Sequence, residues 1–106
     1  MADHLGEFEH LILLAIARLR DDAYGVNIRD TLEKRAGRGA SFGAIYSTLR
    51  RLERKGLIRS VLGTPEPVRG GRAKKYVALT ARGRLAVRES HSALLRMADG
   101  LSELRS

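Results

Sequence analysis

SFGAIYSTLRRLERKGLIRS, residues 41–60, is the stretch on which the fold turns. Phe42, Ile45, Leu49 and Leu52 recur at spacings of three and four, which makes one buried stripe of an amphipathic helix. Away from that stripe stand Ala44, Ser47, Thr48, Arg51 and Lys55, with Tyr46 and Arg50 on the flank. A helix that needed only solubility would mix Glu with Lys there. This face is instead small, hydroxylated and basic. Ser41 stands where an N-cap belongs, and Gly56 stands where a left-handed residue ends a helix. The helix is therefore expected from Ser41 to about Lys55.

The pattern continues on both sides. GEFEHLILLAIARLR, residues 6–20, carries Phe8, Leu11, Ile12, Ala15, Ile16 and Leu19 over a wide arc, as a helix packed on several neighbours would. Asp21-Asp22 supplies turn chemistry. Tyr24-Gly25 opens a second helix to about Arg35, with Val26, Ile28 and Leu32 inward. Gly37, Arg38 and Gly39 form the turn into the third helix. Beyond Gly56, Leu57–Leu62 and Lys75–Leu79 read as short strands around a Gly- and Pro-bearing loop, and Thr80 caps a last helix expected over Ala81–Leu104. The order is helix, helix, helix, strand, wing, strand, helix: mainly α with a small β-hairpin, a winged helix-turn-helix. Residues 1–80 make that domain, and 81–106 add a C-terminal dimerisation helix to the same unit.

The 106 residues are enough for one core. Without Cys there is no disulfide framework and no thiolate chemistry. No apolar run approaches the roughly 20 residues of a membrane span. MADHLGEFEH lacks the basic region and apolar core of a signal peptide, so a cytoplasmic protein with no membrane partner is expected. The net charge of +8 is unevenly spread: residues 1–49 hold six Lys/Arg and seven Asp/Glu, 50–75 hold nine and two, and 76–106 hold five and three. Such a basic concentration draws polyanions, double-stranded DNA or an anionic surface. A solvated basic face is the plain alternative.

In a helix-turn-helix the second helix of the pair enters the major groove. Ser41, Gly43, Ala44, Ser47, Thr48 and Arg51 suit that place: small residues admit the backbone, hydroxyls bond bases or phosphates, and arginine reaches guanine or phosphate. Arg50 adds phosphate affinity. Tyr46 can offer its hydroxyl to phosphate or pack its ring in the core, and Tyr24 likewise reads as a DNA contact or as an inward ring. RGGRAKK, residues 69–75, joins glycine reach to Arg69, Arg72, Lys74 and Lys75, as a wing on the DNA backbone or minor groove requires. GASFG, residues 39–43, matches the G-x-S-x-G nucleophile elbow, but a helix precedes it and the chain is too short for that fold. No catalytic residue is expected, and His4, His10 and His91 lack ligand partners, so no metal or cofactor is expected either.

The last helix carries Val87, Ser90, Leu94, Met97, Leu101 and Leu104 at a seven-residue repeat, a coiled-coil-like seam. Its simplest partner is the same helix of a second copy, giving a homodimer with an interface of Phe8, Leu11, Ile12, Val87, Leu94, Met97, Leu101 and Leu104. Packing back on the first helix is the alternative. The same dimer could also sense a small hydrophobic effector between the first and last helices, near Phe8, Ile12, Leu94 and Met97. A winged-helix protein-interaction adaptor, with little affinity for duplex DNA, is a third reading.

Tyr24-Gly25, GAIYSTLRRLERKGLI at 43–58 and GRAKKYVALTARG at 71–83 together resemble the PadR family of bacterial transcriptional regulators, over about residues 6–85. The short single C-terminal helix is similar to the small subfamily. The resemblance implies a homodimeric winged-helix repressor on a palindromic operator, with dimer contacts from the first and last helices. It also implies that the third helix reads the groove and that Tyr46 contacts DNA. Some small members hold flat aromatic drugs between tryptophans; this chain has no Trp and no aromatic residue after Tyr76, so that mode is not carried over. Val77 stands where a second aromatic often follows the wing tyrosine.

Overall fold

Glycines and capping side chains set where the helices start and stop in the structure, a computed structural model that describes residues 4–62 and 75–104. Its elements are α1 (Glu7–Leu19), α2 (Gly25–Ala36), α3 (Phe42–Arg54), β1 (Ile58–Leu62), β2 (Lys75–Leu79) and α4 (Ala81–Ala98). Gly37 closes α2 with a left-handed backbone, φ +62°, and the Arg38 N–H returns to the Leu32 carbonyl at 3.0 Å. Ser41 caps α3: its Oγ accepts the Ala44 N–H at 3.1 Å. Thr80 caps α4 in the same way, accepting the Gly83 N–H at 3.0 Å.

Ile12, Leu13 and Ile16 of α1, Ile28 and Leu32 of α2, and Ile45, Leu49 and Leu52 of α3 meet Leu57, Ile58, Val77 and Leu79 of the hairpin in one core. Each such side chain contributes about 1.5–3 kcal/mol by leaving water. The hairpin is antiparallel, in register from Ile58↔Leu79 to Leu62↔Lys75. A third extended piece joins it. The Val77 N–H donates to the Ala23 carbonyl at 2.9 Å, Tyr24 bridges Tyr76, and their rings meet edge-on at 5.3 Å. The link between α1 and α2 thereby fixes α2 to the hairpin.

Two polar joints hold the layers. Lys55 Nζ, at the end of α3, donates to both Glu9 oxygens at 2.9 and 3.1 Å, and the Gly6 N–H adds a bond at 3.0 Å. Burial alone would raise the Glu9 carboxyl; the Lys55 and Gly6 bonds and the charges of Lys55 and Arg51 outweigh it and hold it below its ordinary value. At the other joint the Thr80 hydroxyl donates to the Gly56 carbonyl at 2.7 Å, and α4 lies so close to β1 that a Cβ on Gly83 would fall 1.9 Å from the Leu57 carbonyl oxygen.

Several expectations need correction. Val26 is exposed, because two residues along a helix from Ile28 lies near its opposite side. α4 ends at Ala98, six residues early; Gly100 turns left-handed at φ +83°, and Leu101 and Leu104 sit on or beside a short 3-10 turn. The seven-residue seam is therefore broken before its last two leucines. Ile12 and Val87, read as interface residues, are buried in this chain's own core, while Phe8 and Leu11 are partly buried. α4 is seated through Gly83, Ala86 and Val87 and, at mid-helix, through Ser90, whose Oγ lies 2.9 Å from His10 Nδ1; Leu94 and Met97 stand 60% and 80% exposed.

Candidate nucleic-acid interface

α3 presents an outward stripe of Gly43, Ser47, Arg50 and Arg54, spaced four, three and four, all exposed. Ala44 and Arg51 flank it on one side and Tyr46 on the other, also exposed, and Ser41 lies at its N-terminal end. Arg54 is absent from the sequence reading although it sits near the middle of this face. Thr48 is a correction: it is buried, with its hydroxyl donating to the Ala44 carbonyl at 2.9 Å. It belongs to the inward stripe with Ile45, Leu49 and Leu52. Phe42, read as part of that stripe, is instead half-exposed at the helix start. Its ring stacks on Tyr46 at 6.2 Å, under the Arg29 guanidinium at 4.6 Å. Arg54, nine residues on from Ile45, lies on the side of the helix opposite the stripe of Ile45, Thr48, Leu49 and Leu52.

Tyr46 is held by α2. A Cβ on Gly25 would lie 2.4 Å from the Tyr46 hydroxyl oxygen and 2.8 Å from Cζ, so only glycine lets the ring lie against the first turn of α2. This explains the pairing of Gly25 with Tyr46, 21 residues on. Arg29 Nε donates to the Ala40 carbonyl at 3.1 Å, tying α2 to the turn before α3. Lys75, at the start of β2, shares a small cleft of about 70 Å3 with Tyr46, Arg50, Glu53 and Ser60. β2 and α3 thus offer one continuous basic surface, tempered by Glu53, whose carboxylate accepts the Ser60 hydroxyl at 2.9 Å. Arg51 lies 4.0 Å from Glu9 with half its side chain in solvent. Lys55 is withdrawn from this surface by its bonds to Glu9. Tyr24 packs its ring on Tyr76. Arg69, Arg72 and Lys74 lie outside the described residues.

No group of His, Cys, Asp and Glu able to hold a metal ion exists among the described residues, and none of their helices is long and apolar enough to cross a membrane. What this surface can do chemically is donate: serine and tyrosine hydroxyls, three guanidiniums and an ammonium, on an exposed helix face where Gly43, Ala44 and Ser47 are small.

The family described as Transcriptional regulator PadR-like matches residues 12–89. Among solved structures the chain is similar to a PadR family transcription regulator from Clostridium difficile, at 28% identity over 92% of this chain and 96% of that one, with a TM-score of 0.73. A PadR-like transcriptional regulator from Bacillus cereus gives 25% identity, coverage of 92% and 89%, and a TM-score of 0.72. A PadR family regulator from Eggerthella lenta gives 28%, coverage of 92% and 85%, and 0.68. No curated protein matches.

Proposed function

The chain belongs to the Transcriptional regulator PadR-like family, and on that premise we propose that it is a sequence-specific, homodimeric repressor of a roughly palindromic operator. The observation that carries this reading is the outward stripe of α3, small at its N-terminal end and basic at its C-terminal end, beside Lys75 of the wing. Gly43, Ala44 and Ser47 suit close approach to base edges. Tyr46, Arg50, Arg51 and Arg54 suit phosphates, as do Arg69, Arg72, Lys74 and Lys75 of the wing segment. Ser41 serves the site by capping the helix. Tyr24 serves it by fixing α2 to the hairpin.

The exposed Leu94 and Met97, with Leu101 and Leu104 just beyond the helix, support self-association through the end of α4 and the turn after it, because a monomer gains nothing from leaving them in water. A two-fold dimer sets two copies of α3 about one DNA turn apart. Repression would follow from occupying a promoter. Selection from random duplexes tests both parts: two inverted half-sites about 10 base pairs apart, centre to centre, are expected. Enrichment of single, unpaired sites contradicts the dimer, and no enrichment contradicts base reading.

One observation favours a ligand-responsive version. An open groove of about 380 Å3 runs between α1 and α4 past Leu5, Leu11, Leu14, His10, Ser90 and Leu94. A hydrophobic effector seated there would alter how α4 meets its partner. A panel of aliphatic compounds that raises the melting temperature and releases DNA supports this; a panel without effect leaves a constitutive regulator.

A further inference from the structure

We propose that the outer face of the hairpin carries a binding site for a small oxyanion bearing two or more charges, of the phosphate-ester class. Arg20 at the end of α1, Arg59 on β1 and Arg84 in the first turn of α4 line one recess of about 380 Å3 with Asp21, Ala17 and Ala78. The three arginines come from three elements, so only the fold brings them together. Among the described residues none of the three is within an ion-pair distance of a carboxylate, whereas Lys34, Arg38, Arg51 and Lys55 each are.

Strand alternation places the recess away from the α3 surface. Ser60 faces α3, where it bonds Glu53, and successive strand residues point to opposite faces. Arg59 therefore points to the outer face with its partner Ala78, whose small side chain leaves room beside it. A ligand bound there leaves the Gly43–Arg54 stripe free. Arg20 adds a second sign of a constructed site: it is the one non-glycine residue of positive φ among the described residues, at φ +53°. Non-glycine residues rarely hold that conformation, and where they do the surroundings impose it, often at functional positions.

The donor set selects the ligand. Guanidinium forks match phosphate oxygens two at a time and remain charged at every working pH. Asp21 sets one negative charge against three positive ones, so a singly charged anion gains little and a doubly charged one gains more. A bound oxyanion would join α1, the wing strand and α4.

The test is a titration of the full-length, isotope-labelled protein with sodium pyrophosphate, against sodium chloride at matched ionic strength. Amide signals of Arg20, Asp21, Arg59 and Arg84 should shift and saturate with pyrophosphate only. Arg59→Gln and Arg84→Gln should each weaken binding about tenfold or more, the loss expected of a charge-assisted hydrogen bond, and Asp21→Asn should tighten it. Both arginine variants should bind duplex DNA as the parent does. Shifts that never saturate, or that chloride reproduces, overturn the proposal; so do variants that retain pyrophosphate binding. Loss of DNA binding in Arg59→Gln and Arg84→Gln equal to that in Arg50→Gln would assign the recess to the DNA footprint and overturn it as well.

Discussion

Replacing Gly83 by alanine inverts an ordinary rule. Gly→Ala inside a helix normally stabilises, by about 1 kcal/mol, because alanine has less backbone freedom to lose. Here the new Cβ would stand 1.9 Å from the Leu57 carbonyl oxygen and 2.9 Å from its carbon. Ordinary contact needs roughly 3.5 Å, so α4 and β1 would have to part by roughly 1.5 Å. Neither is free to yield. The Leu57 carbonyl accepts the Thr80 N–H at 3.1 Å, and the Thr80 hydroxyl holds Gly56 at 2.7 Å. Overpacking costs about 1–3 kcal/mol, and weakening two hydrogen bonds adds about 0.5–1.5 kcal/mol each. Less the helix gain, the net is about 3 kcal/mol of destabilisation. With a urea m-value of about 1.5 kcal/mol/M, the unfolding midpoint drops by about 2 M. A midpoint equal to or above the parent's would refute the argument that this glycine is required by contact with Leu57.

Gly43→Ala makes the opposite case: its Cβ would meet only Ser41 Oγ, at 3.8 Å, so the urea midpoint should hold or rise by the equivalent of about 0.5–1 kcal/mol. Duplex affinity of the same protein should nevertheless fall, and unchanged affinity means that the α3 backbone does not approach the bases. Glu9, held below its ordinary pKa, contributes stability that is complete above the usual glutamate range and is lost as pH falls through and below about 4.3. Glu9→Gln should be less stable at pH 7 and flatter in acid, and an equally steep acid limb in the variant contradicts the Lys55 joint. His10 is buried beside Ser90, with its Nδ1 2.9 Å from Oγ; burial first, and the charge of His91 second, lower its pKa. Its unfolded form thus takes up protons first, so stability should fall as pH drops below about 6.5, and His10→Gln should remove that part of the slope in urea titrations from pH 7 to 5.

Much of this fold was legible because its determinants are local. Ser41, Gly37, Gly56 and Thr80 act on their own helix ends, and the hairpin strands are bounded by Gly and Pro. What escaped depends on partners far along the chain. Nothing near Gly25 announces Tyr46, and nothing near Gly83 announces the Leu57 carbonyl. Ala23 and Tyr24 pair with β2 over too few residues for any periodicity to register. Two residues on α3 depart from their polarity. Thr48 counts as polar, yet its hydroxyl bonds back to Ala44 and can be buried. Phe42 counts as core, yet stacking on Tyr46 beneath Arg29 lets it stay half-exposed. The last helix kept its pattern on paper past Gly100, where the backbone turns left-handed.

The outward stripe of α3 and the wing should bind a specific duplex. The direct measurement is a titration of labelled DNA from the region upstream of the protein's own gene, against a scrambled duplex, over a series of salt concentrations, with Arg50→Gln and Arg54→Gln in parallel. Tight binding is expected, with a wide margin over the scramble and a log–log salt slope shallower by about 0.9 for each arginine removed. Equal binding to both duplexes, or a slope that neither substitution moves, would contradict it.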